Sequence, residues 1–137
     1  MSARTGKQYV EGLRDDRVVW LGNQKVDVAT HPAFAGSVAG MAGYFDWQNQ
    51  HADECLVPDP QTGKPMSASL IVPRNADDLR RRRIAFERFA HYSEGMLGRT
   101  PDYVNVTLAG FVARSDIFTS KGDTGFAERL GRFYREV

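Results

Sequence analysis

The sequence has few of the residues that metal centres and disulfide frameworks need. It contains 1 cysteine and 3 histidines among 137 residues. Cys55 alone permits no internal disulfide and cannot by itself hold a structural zinc ion or an iron–sulfur cluster. The histidines, His31, His51 and His91, lack the i,i+4 spacing with which a helix binds zinc. We therefore predict no metal site.

Long apolar runs and an excess of one charge are also missing. No stretch approaches the roughly 20 apolar residues that span a bilayer, and the first residues lack the apolar core of a secretory signal. The formal net charge of +1 provides no electrostatic preference for nucleic acid or for a membrane surface. We therefore expect a cytoplasmic protein that binds neither nucleic acid nor membrane.

Length and composition predict one globular domain over residues 1–137. Hydrophobic residues make up 42% of the sequence and charged residues 26%, as in ordinary globular proteins. A chain of this size buries roughly two-thirds of the surface that its unfolded form exposes. That burial is sufficient for a single hydrophobic core.

Apolar periodicity predicts a mainly α-helical chain. Apolar residues recur at the spacing of one helix face in the segments 5–14, 35–50, 75–97, 101–118 and 126–137. Thr5 and Asn75 are good N-caps for the first and third segments.

Two of these segments also predict how they pack. In segment 75–97, Leu79, Phe86, Phe89 and Ala90 recur as one stripe, which we expect to be buried. Segment 35–50 has interior glycines at Gly36, Gly40 and Gly43, each of which costs about 0.5 to 1 kcal/mol of helix stability relative to alanine. We expect another element to pack closely against them in compensation.

Turn residues between β-forming runs predict one or two short hairpins. Gly22-Asn23 separates the run at 18–21 from the run at 25–28, and such dipeptides favour a tight hairpin turn. A second group of turn residues, 58–65, precedes Ser67–Val72, which alternates enough to be a strand.

Four consecutive arginines, Arg80–Arg83, lie within the predicted helix 75–97. Because each helical residue turns by about 100°, they point to all sides of the helix. We expect their side chains to be solvated or paired with the nearby acids Asp77, Asp78 and Glu87 rather than to bind nucleic acid.

The stretch Gly98–Asn105 is the best candidate for chemistry. Thr100 is a good N-cap and Pro101 suits a first helical position, so a helix is predicted to begin at Pro101. Arg99 would then lie just outside the first turn and Tyr103 within it. A guanidinium and a phenol at a helix N-terminus suit an anionic or phenolic oxygen. Spacing alone also allows Arg99 to pair with a carboxylate and Tyr103 to be a core residue whose hydroxyl binds a carbonyl.

The same stretch, Gly98–Asn105, resembles the signature of the oxygenase component of two-component 4-hydroxyphenylacetate 3-monooxygenases. Other stretches agree in order and spacing, namely Thr5–Tyr9, Leu13–Asp15, Val28–Phe34, and the run from Ile71–Arg74 to Arg80–Arg83. The resemblance implies the helical N-terminal domain of an acyl-CoA-dehydrogenase-like flavoprotein fold. It also implies that the family's β-rich middle domain and C-terminal helical domain are absent from these residues.

The resemblance also implies a function. In this family a separate flavin reductase supplies reduced FAD, and a phenol such as 4-hydroxyphenylacetate is hydroxylated with O2 beside its existing hydroxyl. Arg99 and Tyr103 match the catalytic and substrate-binding residues that hold the phenolic oxygen. Most of the FAD site is expected outside this chain, so catalysis by the chain alone is in doubt. Family members are commonly homo-tetramers. The alternative is a freestanding, non-catalytic helical binding or assembly module derived from such an enzyme.

Overall fold

The computed structural model describes residues 3–96, 101–118, 123 and 125–137. Helices dominate this part of the chain, and its strands form two antiparallel sheets of two strands each. The predicted mainly helical fold with short hairpins is therefore confirmed. The chain divides into two compact units: one runs from Arg4 to Gln50, and the other consists of His51–Val137 with the short segment that ends at Ala3.

The first unit contains two helices and one hairpin. Its elements are α1 (Gly6–Gly12), β1 (Val19–Leu21), β2 (Gln24–Val26), a 3-10 turn (Pro32–Phe34) and α2 (Ala35–Gln50). The strands pair with Val19 opposite Val26. Gly22 adopts a φ of 59° in the turn, a conformation that glycine reaches without steric cost. The hairpin predicted at this turn is therefore confirmed.

Helix α1 begins with a capping box. The Thr5 hydroxyl accepts a hydrogen bond from the Gln8 amide N–H, and the Gln8 side-chain oxygen accepts one from the Thr5 amide N–H. These two bonds satisfy backbone donors that a helix N-terminus would leave unpaired. Thr5 is therefore the N-cap, as predicted.

Close packing between α1 and α2 occurs at Gly6. A Cβ atom there would lie 2.4 Å from the Ala42 carbonyl oxygen, and the Gly6 amide N–H donates to Asp46 Oδ1 over 2.7 Å. By contrast, a Cβ atom on Gly36 or Gly40 would meet no described atom within 4 Å. The prediction that the α2 glycines mark close packing is wrong at these two positions, because the small residue at the contact belongs to α1.

The second unit contains the main hydrophobic core. Its elements are α3 (Ala52–Cys55), β3 (Leu56–Pro58), β4 (Pro65–Ser67), a 3-10 helix (Ala68–Leu70), α4 (Ala76–Tyr92), α5 (Pro101–Ala113), a 3-10 turn (Ser115–Phe118) and α6 (Phe126–Glu136). The core joins the second hairpin, which is formed by β3 and β4, to the 3-10 helix Ala68–Leu70 and to α4. Its buried side chains are Val57, Met66, Ala68, Leu70, Ile71 and Ala85. Tyr134 and Val137 from the α6 end pack against it.

The strand predicted at Ser67–Val72 is wrong in its position. β4 ends at Ser67, where the Ser67 hydroxyl accepts a hydrogen bond from the Ser69 amide N–H and so caps the 3-10 helix Ala68–Leu70. The apolar residues that suggested a strand are instead buried in this tight helical turn, where Ala68 and Leu70 are 0% and 4% exposed.

Helix α4 begins as predicted and ends earlier. The Asn75 side chain accepts a hydrogen bond from the Asp78 amide N–H over 2.9 Å, which makes Asn75 the N-cap. The helix ends at Tyr92 rather than near residue 97, because Glu94 and Gly95 adopt φ angles of 50° and 73°. The amide N–H of Gly95 then bonds back to the Ala90 carbonyl, as in a Schellman C-cap.

The buried face of α4 differs from the predicted stripe. Ala85 and Phe89 are buried, whereas Leu79 is 56% exposed and Ala90 is exposed. Part of the predicted stripe is therefore wrong, because the core contacts the helix along a line displaced from the one that the pattern suggested.

Two arginines of the run on α4 form the predicted ion pairs with nearby acids. Arg80 pairs with Asp77, and Arg83 pairs with Glu87 over 2.8 Å. The Arg82 guanidinium lies over the Phe86 ring, 5.8 Å from its centroid. The first two contacts are surface ion pairs, and the third is a cation–π contact.

Candidate functional site

The candidate site is the start of α5. The helix begins at Pro101, as the sequence predicts. Arg99 and the predicted N-cap Thr100 lie outside the described residues. The structure therefore places one of the two predicted site residues, Tyr103, and does not test the pairing of Arg99 with Tyr103.

Tyr103 lies on the exposed side of α5 and is 64% exposed. Among the described residues, its hydroxyl has no hydrogen-bond partner; its backbone carbonyl accepts a bond from the Thr107 hydroxyl over 3.0 Å. The alternative interpretation of Tyr103 as a core residue with its hydroxyl on a carbonyl is therefore wrong. Tyr134 has that role, because its hydroxyl donates to the Leu70 carbonyl.

The exposed side of α5 continues as an apolar surface beside Tyr103. Val104 is 60% exposed and Phe111 is 41% exposed. The Phe111 ring meets the Phe118 ring edge-on, with their centroids 4.8 Å apart. A phenol hydroxyl at one end of an aromatic and aliphatic face can contact both the polar and the apolar parts of a substituted phenol.

The opposite side of α5 packs against the rest of the second unit. Leu108 and Ala109 are buried, and the Asn105 side-chain N–H donates to the Ser69 hydroxyl over 3.0 Å. Two residues correspond to about 200° of helix rotation, so Asn105 faces inward while Tyr103 faces outward. Sequence reasoning included Asn105 in the Gly98–Asn105 stretch but assigned it no role, and no local pattern indicated Ser69 as its partner.

Two surface depressions lie elsewhere. One, of about 370 Å³, lies along α4 between Leu79 and Ala90. The other, of about 530 Å³, lies in the first unit between Leu13 and Val28. Neither is lined by Tyr103. Because Tyr103, Val104 and Phe111 are 64%, 60% and 41% exposed, this side of α5 is an open surface in the described residues.

Two other kinds of site are absent from the described residues. No group of three or more His, Cys, Asp or Glu side chains in this part of the chain is placed to hold a metal ion. No helix there is both long enough and apolar enough to cross a membrane.

Comparison with known proteins then identifies the family. The family model described as the N-terminal region of 4-hydroxyphenylacetate 3-hydroxylase matches residues 5–137. The chain belongs to this family. The resemblance predicted from the Gly98–Asn105 stretch is thus confirmed over nearly the whole sequence.

Relatives within the 4-hydroxyphenylacetate 3-hydroxylase family are much longer than this chain. The 4-hydroxyphenylacetate 3-monooxygenase oxygenase component of Geobacillus sp. is 38% identical over 136 residues, which are 98% of this chain and 27% of the relative. An FADH2-dependent monooxygenase of Burkholderia cepacia is 34% identical over 118 residues, or 84% of this chain and 23% of the relative. The chain therefore spans about a quarter of the length of the curated relatives it matches.

Solved structures of the family share the fold. The crystal structure of the oxygenase component of 4-hydroxyphenylacetate 3-monooxygenase complexed with FAD superposes with a TM-score of 0.85 and 35% identity, covering 98% of this chain and 28% of that chain. Another structure of this component contains both FAD and 4-hydroxyphenylacetate, also with a TM-score of 0.85. The predicted fold class, the helical N-terminal domain of an acyl-CoA-dehydrogenase-like flavoprotein, is confirmed.

Proposed function

We propose that residues 1–137 form the N-terminal, substrate-side domain of a monooxygenase that uses reduced FAD and O2 to hydroxylate a phenol ortho to its hydroxyl. The observation that carries this proposal is the superposition, at a TM-score of 0.85, on an oxygenase component solved with FAD and 4-hydroxyphenylacetate. The substrate class is a phenol like 4-hydroxyphenylacetate, since relatives of this chain are named for that compound.

Tyr103 supports the proposal because its hydroxyl has no hydrogen-bond partner among the described residues. The side chain stands on the exposed side of α5, and no described residue occupies its hydroxyl. In the proposed role, the Tyr103 hydroxyl exchanges a hydrogen bond with the phenolic oxygen of the substrate and orients the ring. Val104 and Phe111 supply apolar contact along the same helix.

Arg99 would supply the charge. A guanidinium is always protonated and stabilises an oxygen that takes on phenolate character. A phenol with more phenolate character is richer in electrons at the ortho carbon, which is the carbon that is hydroxylated. Arg99 and Tyr103 thus act on the same oxygen, one by charge and the other by hydrogen bonding.

FAD fits this chain only in part. The exposed side of α5 suits a flat aromatic group, but its described side chains Tyr103, Val104 and Phe111 are each at least 41% exposed and do not surround a cofactor. We propose that most of the FAD site lies in polypeptide beyond these residues and that a separate reductase supplies the flavin. Reduced flavin provides the oxygen-transfer chemistry, while the protein orients the phenol and excludes water. The assembly is proposed to be a homo-oligomer.

The first experiment measures turnover by the native polypeptide, purified as its own gene produces it. With a flavin reductase, NADH, FAD and 4-hydroxyphenylacetate, we expect the catechol product. Arg99→Ala should lower turnover by about 100-fold, because the substrate oxygen loses its cationic partner. Arg81→Ala, which changes an exposed arginine of α4, is the matched control and should keep normal turnover.

Two results would contradict the proposal. One is unchanged turnover in Arg99→Ala, which would remove this residue from the mechanism. The other is a native product that hydroxylates no phenol under these conditions.

A second function is favoured by the exposed apolar side chains of the second unit. Leu79, Val104, Phe111 and Ile117 are each at least 41% exposed, and such surface often contacts another polypeptide. A freestanding binding or assembly module would use it for association and would carry no activity. Intact-mass measurement of the native product distinguishes the two functions: a mass near 15.3 kDa without turnover favours the module, and a mass several times larger favours the oxygenase.

A further inference from the structure

Among the described residues, one inward-facing hydrogen bond connects the first two turns of α5 to the core. The Asn105 side-chain N–H donates to the Ser69 hydroxyl over 3.0 Å. The residues before it, Tyr103 and Val104, are 64% and 60% exposed and give the helix start little packing of its own. Buried apolar contact begins one turn later, at Leu108 and Ala109.

Ser69 is a rigid anchor for this contact. It lies in the 3-10 helix Ala68–Leu70, is 1% exposed, and is flanked by two buried core residues. Its hydroxyl also lies 2.7 Å from the Ser67 hydroxyl, which caps the same 3-10 helix. The Asn105 bond therefore ends on a group whose position is set by the core.

The bond is directional, unlike apolar packing. Leu108 and Ala109 resist separation of α5 from the core, but the hydrophobic effect is non-directional and does not by itself select one rotation of the helix. A hydrogen bond weakens steeply when its angle departs from linearity. Asn105 thus restricts the rotation of α5 at the helix end where Tyr103 emerges.

We propose that Asn105 is a positioning residue for the reaction: its hydrogen bond to Ser69 sets the rotation of α5 and so places the Tyr103 hydroxyl against the phenolic substrate. This inference rests on the proposed function. Because Asn105 and Tyr103 face opposite ways, Asn105 acts from the inner side and does not touch the substrate.

The test compares Asn105→Ala and Ser69→Ala with the double variant in the native polypeptide, and uses Tyr134→Phe as the matched control. Tyr134→Phe also removes one hydrogen bond to the 3-10 helix, at the Leu70 carbonyl, but that bond comes from α6. Hydrogen exchange by mass spectrometry reports the amides of α5, and steady-state kinetics with reductase report KM and kcat for 4-hydroxyphenylacetate.

We expect Asn105→Ala and Ser69→Ala each to raise KM about fivefold and to speed amide exchange in the first two turns of α5 about tenfold. The double variant should be no worse than either single variant, because both remove the same bond. Tyr134→Phe should lower the melting temperature while its KM stays within twofold of the unsubstituted value.

The positioning role is overturned if Asn105→Ala changes KM no more than Tyr134→Phe does, or if the effects of the two single variants multiply in the double variant. Failure of the proposed function has a different signature, namely no phenol hydroxylation by the unsubstituted polypeptide or full turnover in Tyr103→Phe.

Discussion

Tyr103 and Tyr134 lie in the same unit, and their surroundings give the same phenol two different roles. Tyr134 packs against the core cluster and donates its hydroxyl hydrogen to the Leu70 carbonyl. Tyr103 stands 64% exposed at the start of α5, with no described partner for its hydroxyl. One phenol is used by the fold, and the hydroxyl of the other has no partner among the described residues, which is why we propose it as a ligand contact. Residue type alone therefore does not distinguish a structural tyrosine from a candidate site residue; burial and hydrogen bonding do.

The pKa of Tyr134 records this difference. Burial raises the pKa of the Tyr134 phenol above its ordinary value, and the negative charge of Asp59 adds to the effect. Asp59 itself is buried in the turn of the second hairpin, where the Gln61 amide and the Thr62 hydroxyl donate to it. These bonds, the Gln61 amide first, lower the pKa of Asp59 and keep it charged.

The largest expected effect is a difference in the free energy of unfolding between a variant in the core and a variant on the exposed side of α5. Leu70→Ala removes a side chain that is 4% exposed and should lower the free energy of unfolding by about 3 kcal/mol, through lost burial and a residual cavity. Val104→Ala on the exposed side of α5 should change it by less than about 0.5 kcal/mol. Urea unfolding of the purified chain measures both, and equal losses would contradict the contrast between the two regions.

The next largest expected effect is a difference in turnover between the Tyr103→Phe and Tyr134→Phe variants. Tyr103→Phe in the native polypeptide should lower turnover of 4-hydroxyphenylacetate by about 100-fold, because the substrate oxygen loses an orienting hydrogen bond. Its melting temperature should not change, since the hydroxyl contacts no described residue. Tyr134→Phe should show the reverse: a lower melting temperature with turnover retained. Loss of turnover in both variants would show that stability, and not orientation, limits activity.

The smallest effect concerns alkaline pH. Because the folded pKa of Tyr134 is raised, its contribution to stability is fully present below the unfolded pKa of about 10 and is lost as pH rises through the folded value. Tyr134→Phe lacks this titration. The difference in urea midpoint between the unsubstituted chain and Tyr134→Phe should therefore be constant up to about pH 9 and shrink above it. A difference that stays constant to pH 11 would contradict the assignment.

Sequence reasoning predicted the local features well because each depends on neighbouring residues. The Thr5 and Asn75 N-caps and the Gly22 turn all form within four positions of the residue that signals them. The Gly98–Asn105 stretch indicates the family through its residues alone, and the family model confirms it.

Contacts between distant residues were not predictable in the same way. The buried line on α4, the 3-10 helix in place of the strand at Ser67–Val72, and the close approach at Gly6 each depend on which surface another element covers. A periodic pattern shows that a helix has an apolar face, but it does not show how far around the helix the core extends. The roles of Arg99 and Tyr103 stay predictions, and Arg99 lies outside the described residues.

The sequence by itself determined the helical character of this chain, its caps and turns, and its family, because these follow from local chemistry and from a continuous signature. Tertiary structure alone decided which tyrosine the fold uses and what anchors α5. The contact between Asn105 and Ser69 joins residues 36 positions apart. No local preference encodes such a bond, since it exists only once the core has placed the 3-10 helix beneath α5.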